Sequence, residues 1–215
     1  TGARVVAVEK DHVLAQALER LQTSTQQLKV FCHDIMTFPL KEEISLATQE
    51  GRKAKVIANL PYHLTTPILT QLSPLQELFT SLTVMVQEEV ARRLTAQPGT
   101  SDYSSLTIFL RFYTYPHYAF TVSRNCFYPA PKVNSAVVVL KLREPPLIGQ
   151  EAESFFELTR TAFEHRRKML RASLKELFSP QAIEKALEEI GQNPLARPET
   201  LSLEQFLQLH AILNH

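Results

Sequence analysis

The sequence predicts an α/β protein in which a mainly parallel sheet over residues 1–147 precedes a small all-α unit over residues 148–215. Three observations predict it. Short apolar runs of strand length alternate with helix-period segments as far as Leu94, the pattern of βαβ units. Two β-rich runs, 118–123 and 136–142, then flank a proline-bearing turn. Beyond the Pro145-Pro146 break only helical periodicity remains.

Each element follows from local pattern. Arg4–Glu9 (RVVAVE) is a short apolar run ending in an acid and reads as a buried parallel strand. Asp11 stands where an N-cap belongs, ahead of a helix through Leu21. Leu28–Cys32 (LKVFC) is a second strand, followed by His33 and Asp34. Ala54–Ala58 (AKVIA) is a third, running directly into Asn59-Leu60-Pro61-Tyr62. Thr66 and Pro67 open a helix, because proline is tolerated in a first turn. Leu82–Val86 is a fourth strand, leading into a helix through Leu94. After Pro98-Gly99, Ser104–Tyr113 is apolar and helical. The runs 118–123 and 136–142 read as an antiparallel pair at the sheet edge. Helical periods fit 151–178, 180–191 and 202–213, with Pro180, Pro194 and Pro198 as punctuation.

Composition narrows the class. Hydrophobic residues at 44% and charged residues at 21% fit a globular protein with a core and exclude a wholly disordered chain. The five glycines, at 2, 51, 99, 149 and 191, are too dispersed to form a glycine-rich phosphate loop within the chain. Cys32 and Cys126 exclude a disulfide scaffold and a four-cysteine zinc site; they read as small buried hydrophobes in a reducing compartment. No apolar run reaches the ~18 residues that would span a bilayer. The seven histidines show no ligand spacing with one another or with the cysteines, so no metal is expected.

Charge is concentrated. Between 159 and 175, Arg160, Arg166, Arg167, Lys168, Arg171 and Lys175 face a single acid, Glu164, in a chain of net charge +1. The segment therefore suits a polyanion, the alternative being a solvated helix face. Taken as one helix, Phe156, Phe163, Leu170, Leu174 and Leu177 share a face, with Arg160, Arg167, Arg171 and Lys175 lined up beside it.

Glu9, Asp34 and Asn59 each fall at or just past the C-terminal end of an expected parallel strand, where open α/β sheets bind ligands. An acid there can accept from both hydroxyls of a ribose, and a second can accept from an adenine amino group. Each acid could instead cap the following helix; three in register suggest an adenosine-containing cofactor.

Asn59-Leu60-Pro61-Tyr62 is the sharpest signal. It packs an amide, a carbonyl fixed by proline and an aromatic ring into four residues after a strand. The exocyclic amine of a base delocalises its lone pair into the ring. Accepting both of its hydrogens, through the Asn59 oxygen and the Leu60 carbonyl, favours a pyramidal nitrogen with a usable lone pair. Tyr62 offers a stacking face. An ordinary strand-to-helix turn is the alternative on these four residues alone.

NLPYHLTTPIL (59–69) resembles motif IV of the ribosomal RNA adenine N6,N6-dimethyltransferases. FYPAPKVNSAVVVLKL (127–142) is similar to that family's Phe-x-Pro-x-Pro-Lys-Val-x-Ser signature, and VQEEVARRL (86–94) and AFEHRRKMLRASLK (162–175) to two further blocks. The resemblance runs in order over essentially the whole chain. It implies a Rossmann-like, S-adenosyl-L-methionine-dependent methyltransferase domain and a small all-α C-terminal domain that binds RNA. It implies that Glu9 binds the cofactor ribose and Asp34 its adenine, that Asn59 borders both cofactor and target amine, and that Tyr62 and Phe127 stack on a flipped adenine. The implied catalytic set is thus Asn59, Leu60, Pro61, Tyr62 and Phe127. The implied substrate is a pair of adjacent adenosines near the 3′ end of small-subunit (16S) rRNA, dimethylated on the immature small ribosomal subunit. A cytoplasmic monomer with no membrane partner is expected.

The family carries a helix and a glycine-rich loop before the strand that here is Arg4–Glu9, whereas this chain opens at Thr1-Gly2-Ala3. The expectation is an N-terminally incomplete methyltransferase domain over 1–147, with weak or no cofactor binding by these residues alone. Two rivals stand beside the first reading. One is the macrolide-resistance type of large-subunit rRNA methyltransferase, which has a similar Asn-x-Pro-Tyr; Thr66-Pro67 and the basic block favour the first reading over it. The other is a non-catalytic RNA-binding assembly factor on the same fold, opposed by intact Asn59, Tyr62 and Phe127. DNA adenine methyltransferases usually have Pro where this chain has Leu60.

Overall fold

The computed structural model describes residues 2–22, 27–48 and 51–214. Two parallel ladders carry the first half. Strand β1 (Val5–Glu9) pairs with β2 (Leu28–Cys32), in register from Val5 opposite Leu28 to Glu9 opposite Cys32, with α1 (His12–Gln22) connecting them. Asp11 caps α1 as expected, its Oδ1 accepting from the amides of Val13 and Leu14 at 2.8 and 3.1 Å. Helix α2 (Leu40–Ala47), which the sequence pattern does not announce, leads on to β3 (Ala54–Asn59). A short turn and α3 (Thr65–Leu72) then join β3 to its parallel partner β4 (Phe79–Gln87).

Helices α4 (Glu88–Thr95) and α5 (Ser105–Tyr113) follow, then β5 (Thr114–Val122) and β6 (Ser135–Leu142). The last two strands are antiparallel, as expected, and complete a sheet of order β3-β4-β6-β5. Among the described residues β1 and β2 form a separate two-stranded ladder rather than extending that sheet. Strand β5 begins at Thr114, earlier than expected. It takes in Pro116, which an edge strand tolerates because the missing donor can face away from the ladder.

The sheet is built on period-two alternation. Leu82, Val84 and Val86 of β4 and Ala136, Val138 and Leu140 of β6 are fully buried, on one face with Ile68, Leu69 and Leu72 of α3. A second core belongs to the helical end, formed by α6 (Gly149–Glu164), α7 (Leu170–Ser173), α8 (Pro180–Glu189) and α9 (Leu203–Leu213). Helix α5 serves both. Its Ile108 and Phe112, with Tyr103 just ahead of it, pack among Phe155, Leu158 and Phe206, while Leu110 faces the sheet core.

The single helix expected over 151–178 is a correction. Helix α6 stops at Glu164; His165 leaves helical geometry and Met169 is extended. No proline or glycine breaks it. The amide of Leu170 instead bonds the carbonyl of Ala196 at 2.9 Å, and Arg166 donates to the carbonyls of Thr100 and Ser101. Long-range partners thus outcompete the helical bonds. The apolar residues of the expected face still join one core, Leu170 and Leu174 fully buried and Phe156, Phe163 and Leu177 partly so. The two cysteines are a second correction: Cys32, at the end of β2, and Cys126, in a surface turn, are both exposed thiols.

Candidate active site

The ends of β1 and β2 place two acids side by side. Glu9 closes β1, and its Oε1 accepts from the Asp11 amide at 2.8 Å. Asp34 lies two residues past β2. Its Oδ2 takes the Lys10 ammonium at 2.7 Å and its Oδ1 the Met36 amide at 2.9 Å. Lys10, and then the Met36 amide, hold the Asp34 carboxyl below the ordinary carboxylate range, so it is anionic at neutral pH. The Asp34–Lys10 pair is solvent-accessible, so its bridge is weak and exchangeable. The second carboxylate oxygen of Glu9 makes no hydrogen bond among the described residues, which leaves it fit to accept from a hydroxyl.

Asn59 ends β3 opposite Met85 of β4. The Leu60 amide continues that ladder by one bond, to the Met85 carbonyl at 3.1 Å, and the Leu60 side chain is buried in the sheet core. Alternation then leaves Asn59 on the exposed side. Pro61, extended at φ −62°, ψ 130°, turns the chain. Its carbonyl accepts from the Leu64 amide at 2.9 Å and the Thr65 hydroxyl at 3.4 Å. The tetrapeptide is thus pinned at both ends, and Tyr62 stands 41% exposed, its ring open to a ligand. The Tyr62 hydroxyl meets the Ser135 hydroxyl at 3.3 Å.

Ser135 begins β6 and is paired with both Gln87 of β4 and Val122 of β5, so the loop 123–134 enters the sheet beside Tyr62. That loop carries Phe127, half-buried, directly after a 3₁₀ turn over Arg124–Cys126. At its foot lies an open cleft of about 640 Å³ lined by Glu88, Arg92, Arg124, Lys132 and Asn134. Glu88 is kept well ionised there, chiefly by Arg92 at 2.6 Å and then by Asn134. The structure therefore gathers the tetrapeptide and the Phe127 loop at one end of the four-stranded sheet, and Glu9 and Asp34 at the end of the other ladder. Ser135, Asn134, Glu88 and Lys10 were not assigned roles from sequence. The first three stand within the quoted blocks VQEEVARRL and FYPAPKVNSAVVVLKL, and only their pairing across the fold gives them one.

The basic segment does not line one helix. Arg160 ends near the C-terminus of α6, bonded to the Phe156 carbonyl at 3.2 Å. Arg166 is occupied by the Thr100 and Ser101 carbonyls, and Arg171 by Glu184 at 2.5 Å. Arg167 and Lys168 sit exposed in the turn between α6 and α7, and Lys175 is exposed beyond α7. Among the described residues Lys175 has only a loose contact of 3.7 Å with its exposed neighbour Glu176.

Residues 3–215 match the family model described as "Ribosomal RNA adenine dimethylase". The chain belongs to that family. Within this dimethylase family it is 66% identical over 208 residues to the "Ribosomal RNA small subunit methyltransferase A" of Protochlamydia amoebophila, covering 97% of this chain and 73% of that protein. It is 44% identical to the protein of the same name from Chlamydia muridarum, covering 99% of this chain and 75% of that one. Among solved structures the dimethylase fold is similar to the 23S rRNA methyltransferase ErmE at a TM-score of 0.75 and 24% identity, over 99% of this chain and 82% of that one. It is equally similar, at 0.75 and 23% identity, to a dimethyladenosine transferase from Plasmodium falciparum, over 96% and 80%. With the family match, these two likenesses bear out the α/β fold expected from the strand pattern and the Rossmann-like methyltransferase domain that the motif resemblance implies.

Proposed function

We propose that this dimethylase uses S-adenosyl-L-methionine to dimethylate the exocyclic amines of two adjacent adenosines near the 3′ end of small-subunit rRNA, on the immature subunit. The observation that carries the reading is the tetrapeptide 59–62. Its backbone is locked by the Leu60–Met85 and Leu64–Pro61 bonds while Asn59 and the Tyr62 ring stay exposed. The 66% identity to a small-subunit methyltransferase supports this substrate over the large-subunit alternative.

In this reading Tyr62 and Phe127 hold an unstacked adenine. The Asn59 side-chain oxygen and the Leu60 carbonyl accept its two amine hydrogens, and Pro61 fixes that carbonyl. When bound, the cofactor would supply an electrophilic methyl group to the amine nitrogen that the Asn59 oxygen and the Leu60 carbonyl orient. Glu9, with a carboxylate oxygen to spare, would take the cofactor ribose, and Asp34 its adenine after exchange of Lys10. Arg160, Arg166, Arg167, Lys168, Arg171 and Lys175, in the helical unit 148–215, would hold RNA. Arg167, Lys168 and Lys175 would contribute most, because Arg166 and Arg171 already serve protein partners. Phosphate contacts of this kind position RNA without reading sequence. No helix among the described residues is long and apolar enough to cross a membrane.

The direct test offers the whole protein unmethylated small-subunit RNA particles and large-subunit RNA, each with methyl-labelled cofactor, and analyses nucleosides by mass spectrometry. Dimethyladenosine at adjacent small-subunit positions is expected. Labelling only of large-subunit RNA, or of neither, overturns the reading.

A further inference from the structure

We infer that Asn134, clasped by Glu88, is the positioning residue that sets the Phe127 loop over the target base, an inference that rests on the adenine-methylating reading above. Asn134 is the residue before β6, and its one planar amide closes the loop in two directions. Its Oδ1 accepts from the Arg124 amide at 3.1 Å, joining the two ends of the segment that carries Phe127. Its Nδ2 donates to Glu88 Oε2 at 3.2 Å, and its own carbonyl accepts from the Glu88 amide at 3.0 Å. Glu88 is in turn held through Oε1 by Arg92 at 2.6 Å. A weaker tie from Arg124 Nη1 to the Lys132 carbonyl, at 3.4 Å, spans the same loop.

Packing cannot do this work. No residue from 123 to 134 is fully buried, Tyr128 is wholly exposed and Val133 is 45% exposed. With little apolar surface removed from water, the polar clasp sets where the loop sits. Glu88 is the first residue after β4, the strand that pairs with Asn59, so the clasp measures the loop against the strand that also places the amine acceptors. Residue 134 must offer one acceptor and one donor on the same group, which an amide does and a carboxylate does not. Asn134→Asp keeps the bond from Arg124 but sets a carboxylate against that of Glu88. Adding Glu88→Gln restores the clasp with its polarity reversed. The amide then at position 88 donates to the carboxylate then at position 134, and its oxygen still accepts from Arg92.

The experiment compares the parent whole protein with N134D, E88Q and the E88Q/N134D double variant. It measures methylation kinetics on unmethylated small-subunit particles, and the fluorescence of 2-aminopurine placed at the target adenine, which stacking quenches. For N134D, kcat is expected to fall about 10- to 100-fold, as for other misplacements of a reacting group, with KM for RNA little changed. Aminopurine quenching is expected to weaken in step. The double variant should recover most of both losses, which a merely structural lesion would not. Parental kcat in N134D, or a folded double variant no better than N134D, overturns the clasp. If N134D does not fold, parental aminopurine fluorescence in E88Q overturns it. A parent that methylates no adenine removes the functional reading instead, a result separable from any of these.

Discussion

The phenolic oxygen of Tyr62 lies 3.3 Å from the hydroxyl of Ser135. One residue opens the 3₁₀ turn that follows β3 and the other begins β6, so the contact joins two sequence blocks that are far apart in the chain. A ring offered for stacking must be held at its edge while both faces stay open, and a hydrogen bond at the para position does this. Tyr62→Phe keeps the ring and loses the bond. A neutral hydrogen bond contributes about 0.5–1.5 kcal/mol, so turnover should fall a few-fold. Ser135→Ala should match it, and the double variant should be no worse than either. Additive losses in that cycle, read by methylation rate, would count against the contact.

Asn59→Ala should nearly abolish methyl transfer while RNA binding survives, since phosphate contacts supply most of the affinity. Filter binding and single-turnover methylation on the same RNA separate the two. Near-normal turnover would remove Asn59 from the chemistry.

Glu9→Ala should weaken S-adenosyl-L-methionine binding in the whole protein through loss of charge-assisted hydrogen bonds, each worth about 1.5–3 kcal/mol. It also frees the Asp11 amide now bonded to Glu9 at 2.8 Å, so Glu9→Gln is the cleaner variant, keeping an acceptor without the charge. Calorimetry should rank parent, Gln and Ala in falling order. Equal affinities would make Glu9 a turn-forming acid only.

The cations of the basic segment should divide by function. Replacing Arg167, Lys168 and Lys175 with Gln should weaken RNA binding and flatten its salt dependence, each lost phosphate contact reducing the log–log slope by about 0.7–0.9. Melting temperature should hardly move, because these side chains are exposed. Arg166→Gln should do the reverse, lowering stability more than binding, since Arg166 ties the Thr100 and Ser101 carbonyls to the helical end. An unchanged salt slope in the triple variant would move the RNA surface elsewhere.

His210 gives a pH dependence of stability. It is buried beside Phe155, with Nε2 2.7 Å from the Ser154 hydroxyl, and burial holds its pKa below the ordinary 6.5. The unfolded chain therefore binds this proton at a higher pH than the folded one does. The contribution is complete above pH 6.5 and is lost as the pH falls toward the folded value. Melting temperature should drop between neutral and mildly acid pH, and a folded His210→Gln variant should show a shallower drop. Equal slopes would acquit the histidine.

Much of this was legible in the chain itself. Strand-length apolar runs and the Asp11 cap depend on neighbours in sequence, and β1, β2 and β3 lie where periodicity placed them. So does the tetrapeptide at the end of β3. The break after Glu164 was not legible because its cause is remote: an Ala196 carbonyl that takes the Leu170 amide, and a loop near Thr100 that takes Arg166. Asn134 and Glu88 were in view, 46 positions apart, but without the fold nothing paired them. Pro116 concealed the first half of β5, since proline argues against a strand unless the strand is known to lie at an edge.

Helix α5 has a further meaning for how the molecule loses its structure. Ile108 and Phe112 lie in one core and Leu110 in the other, all three fully buried. A helix shared in this way cannot melt on one side alone, because unwinding it for either core strips the other. The sheet and the helical end should therefore denature as one cooperative unit, with a single calorimetric peak and amide exchange in α5 among the slowest in the protein. Cutting the chain after residue 147 would then not release a smaller stable enzyme; it would leave Phe112 and Ile108 in water, on a surface prone to aggregate.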